Sequence, residues 1–247
     1  MSRGASDRKI AVDHLVVACR TLAQGRDWCE ATLGVSPAPG GRHALMGTHN
    51  LLLAVSSARY PKAYLELIAI DPDAAPPARP RWFDLDDASL QAALVEPRIV
   101  HWVARCDDLD ATVAELRGEG HDPGPIVGAE RMTPRGLLRW RITVPADGRR
   151  PGDGAMPLWI EWGGAEHPSD VLPASGVTIE SLQVGVVVPR PVAPLADRAP
   201  TANAPPPPTA GQHSRVVAPL SSPLVARLSS PRGPIVLAAP PPARLSA

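Results

Sequence analysis

The hydrophobic and polar positions of the chain follow the same order twice. Residues 10–19 (IAVDHLVVAC) form a β-branched apolar run with one histidine inside, the pattern of a half-buried strand. Thr21 is then placed to cap a helix, with Gln24 three residues on. Leu22, Cys29 and Leu33 share one helical face, and Gly34 suits the position after the last turn. Pro37, Pro39, Gly40 and Gly41 mark a loop. After it, 43–46 is a weak strand, 50–56 a stronger one and 64–70 (YLELIAI) the strongest. From residue 97 the order recurs. The run 97–106 (PRIVHWVARC) holds its histidine in the same register, so that His14-x4-Cys19-x2-Leu22 is answered by His101-x4-Cys106-x2-Leu109. Asp108 takes the capping place. Leu109, Thr112, Val113 and Leu116 follow at i, i+3, i+4 and i+7, a core-facing stripe, which Gly118 and Gly120 end. A weak strand at 126–127, a strong one at 137–144, a loop at 146–154 and a strand at 157–162 complete the second β-α-β-β-β unit.

This repetition predicts an α+β fold of two βαβββ modules, spanning 8–72 and 97–168. They are joined by a linker at 73–96 that begins Pro/Ala-rich and carries a short helix at 82–94. A partial third module fills 169–247, with a strand at 176–188 and a hairpin at 223–237 turning at Pro231, Arg232 and Gly233. Between them, 189–222 has no period and four consecutive prolines at 205–208. It reads as a disordered insert, either a natural linker or the product of a reading-frame slip in a GC-rich gene. The third module's apolar strands need a surface to cover, and a lid over the sheet of one module is the expectation.

Composition narrows the class of function. Lys+Arg and Asp+Glu balance at 25 each, which leaves no electrostatic footprint for nucleic acid or an anionic membrane. The polar start lacks the apolar core of a signal peptide, and no apolar run reaches membrane-spanning length. Three scattered cysteines do not make a disulfide framework. The expectation is a cytoplasmic protein acting on a small molecule, with dimerisation permitted but not required.

Alternation along a strand puts His14 on one face with Val16 and Ala18, and Leu15, Val17 and Cys19 on the other. The same parity separates His101 from Cys106, so both cysteines read as packing residues. Each module's last strand carries a carboxylate among large apolar neighbours: Glu66 in YLELI and Glu161 in LWIEW. A charge there is costly to bury unless paired or coordinated. Two imidazoles and two carboxylates suit a divalent Zn, Ni, Co, Mn or Fe ion. Arg139 and Arg141 share a strand face opposite Trp140, positioned either to bind an anionic substrate or to remain solvated. His43, His49 and Asn50 are hydrogen-bonding groups beside the cavity or loop caps. Of Trp159 and Trp162, on opposite faces, one packs in the core and Trp162 is the candidate to line the pocket. Glu166 and His167 read as loop residues, and Asp107, Asp108 and Asp110 as a helix start.

The segments DHLVV, YLELI, IVHWV and LWIEW, together with GRHALMGTHNLLLAV before YLELIAIDPD, resemble the vicinal oxygen chelate superfamily over about 10–168, closest to its glyoxalase-like domain proteins. The resemblance implies that each module curls into a half-barrel and that the pair encloses a site. It also implies metal ligands from the first and last strand of each module, which here are His14, Glu66, His101 and Glu161. Glu66 or Glu161 would serve as general base in a metal-dependent lyase or isomerase acting on a substrate with two adjacent oxygens. Two alternatives stay open. One is an extradiol-type Fe(II) dioxygenase using His14, His101 and Glu161, which Glu66 as a fourth ligand argues against. The other is a metal-free protein that sequesters a toxin or antibiotic. The long linker and the extra C-terminal segment depart from the pattern.

Overall fold

A computed structural model describes residues 9–133, 135–164, 166–185, 188–198 and 222–240. In chain order the elements are β1 (Ile10–Ala18), α1 (Leu22–Leu33), β2 (Ala38–His43), β3 (Thr48–Ala54), β4 (Tyr64–Ile70), α2 (Ala88–Ala93), β5 (Arg98–Cys106), α3 (Leu109–Gly118), β6 (Ile126–Thr133), β7 (Gly136–Thr143), β8 (Leu158–Trp162), β9 (Thr178–Val184), β10 (Asp197–Arg198), β11 (Leu224–Ser230) and β12 (Gly233–Ala238). The fold is α+β, and the β-α-β-β-β order occurs twice.

Local chemistry accounts for the helices. The Thr21 side chain accepts from Gln24 N, and Gly34 takes the left-handed conformation with its N–H on Glu30 O. Asp108 caps α3 by accepting from Ala111 N. The linker helix is shorter than the pattern predicts. It begins only after Asp87, because Phe83 and Asp84 adopt positive φ and interrupt any earlier turn. The gain is burial: Trp82, Phe83 and Leu85 are all sequestered in the core.

Eight strands form one curled, nearly closed sheet in the order β2-β3-β4-β1-β5-β8-β7-β6. Within each module the first and last strands pair in parallel, β1 with β4 and β5 with β8. The two modules join through the antiparallel β1–β5 pair, which places Ile10 opposite Cys106 and Ala18 opposite Arg98. The curl brings the edge strands β2 and β6 together.

Both edge strands differ from the sequence pattern. β2 occupies the stretch read as a loop, since an edge strand tolerates Pro39, Gly40 and Gly41 with a register shift between Pro39 and Arg42. β6 runs for eight residues where only two were apparent. Gly128, Glu130 and Met132 face outward and alternate with Val127, Ala129 and Arg131 on the inner side, a pattern that apolar content alone hides.

The sheet separates two cores. Its outer face carries Leu15, Val17, Cys19, Leu65, Leu67, Trp102 and Trp159, packed under the helices. Its inner face carries Val16, Ala18, Ile68, Val100, Val103, Leu158 and Ile160, closed by Trp82 and Phe83 from the linker. All three cysteines are free and buried on the outer side, and burial pushes each thiol up to about 12.

The C-terminal strands form a second sheet, ordered β10-β9-β11-β12. Ile179, Leu182, Val184, Leu224, Ala226 and Leu228 join the outer core. This sheet therefore covers the convex face rather than the mouth of the barrel. It is tied down by Ile179 N to Val55 O, by Leu182 N to the Tyr60 hydroxyl, and by Arg232 Nε to Glu30 O at the end of α1. Of the stretch read as unstructured, 199–221 lie outside the described residues. Residues 189–198 form turns and β10, with Val192, Leu195 and Ala196 buried against the outer core. Apolar anchors spaced between prolines hold this segment down. Among the described residues no helix is long and apolar enough to cross a membrane.

Candidate active-site chamber

The concave side of the barrel holds a polar cluster walled by aromatic rings. Its lining includes His14, His43, Asn50, Tyr64, Glu66, Arg131, Trp140 and Trp162. The space open to the centres of water-sized atoms is about 30 Å³, enough for one or two such atoms. A larger cavity of about 350 Å³ adjoins it and shares His43, Trp82, Trp140 and Ile142 with it. Met46, Val127 and Ala129 complete its apolar lining.

A bulge in β1 sets the chemistry. The register shifts between Val12 and His14, so that Asp13 joins His14 on the inner side instead of alternating outward. Asp13 is fully buried and receives three N–H groups. His14 Nδ1 lies 2.7 Å from Oδ1, while His167 Nε2 and Trp162 Nε1 each lie 2.9 Å from Oδ2. Burial alone pushes the Asp13 carboxyl up. The hydrogen bonds from His14 and His167, with their charge, outweigh it and hold the group well below the usual carboxylate range. The tautomer of His167 follows from its other nitrogen, which accepts from Ser169 N and leaves Nε2–H for Asp13.

With Nδ1–H committed to Asp13, His14 presents Nε2 to the chamber, 3.5 Å from Glu66 Oε2. Both atoms are acceptors in that tautomer, so a proton delivered to either one can pass to the other. The other oxygen, Glu66 Oε1, accepts from Asn50 Nδ2 at 2.6 Å. Asn50 cannot flip, because its Oδ1 accepts from Gly41 N at 2.7 Å. Behind it, His43 bonds Thr48 Oγ1 through Nδ1, and burial pushes its pKa down to about 4. Tyr64 stacks on His14 with ring centroids 4.7 Å apart, and burial, then Asp13 and Glu66, raise its hydroxyl well above the usual range. The result is a buried acid–base pair whose partners are fixed on every side except the one facing the chamber.

Four residues were expected to share an ion, and the structure brings two of them together, His14 and Glu66. His101 is fully buried and accepts from Leu158 N through Nε2 at 3.2 Å, with its ring against Phe83. Burial, then the charges of Arg150 and His14, push its pKa well below the usual value. The lone pair a metal would need is already engaged. Glu161 has the parity of Trp159 and faces outward, where Oε2 accepts from Leu109 N at the start of α3 and Oε1 lies 3.6 Å from Arg141. The inward positions of β8 are Leu158, Ile160 and Trp162. Among the described residues no three His, Cys, Asp or Glu side chains converge as a ligand set. The donors of His14, Glu66, His101 and Glu161 therefore do not fit a single divalent ion, and the dioxygenase set of His14, His101 and Glu161 meets the same obstacle.

Of the residues expected to touch substrate, Asn50 and Trp162 line the chamber. His49 alternates to the outer side beside Asp71, at 3.9 Å. Arg139 and Arg141 lie opposite Trp140, paired with Glu130 and Asp110. The sequence reading missed Asp13, Arg131 and His167. Strand parity on the full length of β6 would have found Arg131. Nothing local signals His167, which reaches the chamber from the loop after β8.

A paired-module barrel enclosing one chamber on its concave side is the architecture of the vicinal oxygen chelate superfamily. The family model described as "Glyoxalase-like domain" matches residues 12–199, and the chain belongs to that family. No curated protein matches it. Among solved structures, it is similar to a hypothetical protein from Staphylococcus aureus (16% identity, TM-score 0.48, 71% of this chain and 69% of that one). It is also similar to the methylmalonyl-CoA epimerases of Streptomyces coelicolor (19%, 0.40, 64% and 97%) and Mycobacterium tuberculosis (22%, 0.36, 63% and 88%).

Proposed function

We propose that this chain is an enzyme that moves a proton on a small substrate held in the chamber, a lyase or isomerase in which Glu66 is the proton-carrying group. The observation that carries the reading is the Glu66 carboxylate itself. It is 5% exposed, oriented by Asn50 at one oxygen and within reach of His14 Nε2 at the other. A buried, oriented carboxylate with a proton-sharing partner is suited to general acid–base work. In the forward step Glu66 takes a proton from a substrate carbon next to a carbonyl. The pair of electrons left behind moves onto the carbonyl oxygen, and the proton returns to carbon from the Glu66–His14 pair or leaves with a departing group. Asp13 holds the His14 ring in register throughout. The aromatic wall of Trp82, Trp140 and Trp162 excludes bulk water, which strengthens each charge interaction inside.

The test is carbon–hydrogen exchange in D2O, followed by proton NMR over a panel of small hydroxy and keto compounds. The wild-type chain should exchange a C–H adjacent to a carbonyl in at least one of them, and Glu66→Gln should lower that rate about 100-fold or more without abolishing binding. A second reading, a metal-free binding protein, is favoured by the apolar cavity of about 350 Å³ beside the chamber. Saturable binding with no exchange of any bound compound would establish it and overturn the first.

A further inference from the structure

Arg131 faces the chamber with no hydrogen-bond or ion-pair partner among the described residues. Val127, Ala129 and Arg131 alternate inward along β6, the first two lining the outer cavity and Arg131 the inner chamber. Two of its nitrogens, Nε and Nη1, are buried and make no hydrogen bond, and among the described residues no carboxylate lies within ion-pair distance of it. The other arginines with a buried unbonded nitrogen, Arg79, Arg81 and Arg98, each have only one such atom. Two desolvated guanidinium donors left unbonded are costly. The backbone makes room for them nonetheless. A Cβ placed on Gly41 of the facing edge strand would stand 2.5 Å from Arg131 Nη1 and 3.1 Å from its Cδ, so glycine at 41 gives the guanidinium its berth in the seam between β2 and β6.

The geometry points to Arg131 as the anchor of a small carboxylate, seated in the seam so that its neighbouring carbon meets Glu66. This rests on the proton-transfer reading and names its substrate class. Nε–H and Nη2–H share one edge of the guanidinium and match the two oxygens of a carboxylate, while the opposite edge, with Nη1 and Cδ, lies toward Gly41. Glu66 lines the same chamber, so a carboxylate bound at Arg131 would expose its α-carbon to the acid–base pair and send its remaining atoms into the larger apolar cavity. The charges are complementary: the anion neutralises the free cation, and Glu66 stays oriented by Asn50.

Tryptophan fluorescence reads occupancy, since Trp82, Trp140 and Trp162 line the chamber. The full chain is titrated with lactate, inorganic phosphate and lactamide, the uncharged isostere of lactate. Lactate should bind saturably and at least tenfold more tightly than lactamide. Arg131→Gln should abolish that preference. Arg131→Lys, which keeps the charge and loses the fork, should weaken lactate binding several-fold, and Gly41→Ala should weaken it by displacing the guanidinium. Arg117→Gln, which removes an exposed cation at the end of α3, should bind as wild type. Equal binding of lactate and lactamide, no binding of either, or an unchanged preference in Arg131→Gln with native circular dichroism would overturn the assignment. Tighter binding of phosphate than of lactate would overturn the carboxylate class. Arg131-dependent lactate binding with no C–H exchange in any bound acid would sink the proton-transfer reading and leave the anchor standing.

Discussion

Asp13 Oδ1 stands 2.7 Å from His14 Nδ1, at the opposite nitrogen of the ring from Glu66. One residue of bulged strand thus sets the tautomer of its neighbour. Replacing Asp13 by Asn turns one of its two acceptor oxygens into an N–H2 donor, so the N–H groups of His14, His167 and Trp162 can no longer all be accepted. C–H exchange should fall at least tenfold, and stability should drop by about 3–5 kcal/mol, the order seen when one member of a buried charged network is removed. Urea unfolding measures the second effect and ring ¹⁵N shifts of His14 report the tautomer. Wild-type shifts in Asp13→Asn would show that the carboxylate does not orient the ring.

The placement of Glu161 makes a metal titration informative. Glu161 caps α3 from the outer face, so Glu161→Gln should cost no more than about 1 kcal/mol. It should also leave the affinity for Zn, Ni, Co, Mn or Fe(II), whatever that affinity is, unchanged in isothermal titration. A tenfold loss in the variant would mean that this carboxylate reaches an ion and that the outward placement is wrong.

His101 answers a different question. Its Nε2 takes the Leu158 N–H that no strand pairing supplies, so His101→Ala should destabilise the fold by about 2–4 kcal/mol through an orphaned amide and a cavity. Exchange per folded molecule should stay within about threefold of wild type. An exchange rate as low as that of Glu66→Gln in fully folded His101→Ala would give the ring a catalytic part.

Acid should weaken the fold in two stages. His43 falls from an ordinary 6.5 to about 4 in the folded chain because burial disfavours its cation. Between these values the unfolded chain binds the extra proton and the folded chain does not, so stability present above pH 6.5 is lost as pH falls toward 4. Asp13, held low by His14 and His167, carries the loss further below the unfolded value of 3.8. The melting temperature should decline steadily from pH 7 to pH 4, and His43→Gln should make that decline shallower, with His101, also held low by burial, supplying part of what is left. An equal slope in the variant would place the sensitivity elsewhere.

All three thiols are buried with pKa values near 12. Ellman's reagent should therefore label none of them in the native chain within minutes and all three after denaturation. Rapid labelling of a native thiol would show that the outer core opens more readily than its packing implies.

Much of this arrangement is written in periodicity. The doubled strand with its histidine, the caps at Thr21 and Asp108, and the inward parity of His14 with Val16 and Ala18 all follow from local chemistry. Glu66 stands out because its strand is apolar on both sides. What periodicity hides is tertiary. Asp13 turns inward only because a bulge breaks the alternation that would send it outward with Leu15. The edge strands β2 and β6 look like loops because one is rich in proline and glycine and the other carries Glu130, Arg131 and Thr133 among few apolar residues, although each pairs with the next strand along the chain. Glu161 is flanked by Ile160 and Trp162, so flanking residues alone do not say which face it takes. Its shared parity with Trp159 places it outside once that indole is known to be core.

The second sheet lies along the convex side of the barrel and shares one core with it. A chain cut after Asp170 would keep both halves of the chamber yet lay bare the apolar ground on which Leu182, Leu224 and Leu228 rest. Such a fragment would be an intact container with an adhesive back, and it should aggregate or pair back to back. The strands after Asp170 thus supply from within the chain the covering that a truncated barrel would have to borrow from a neighbour.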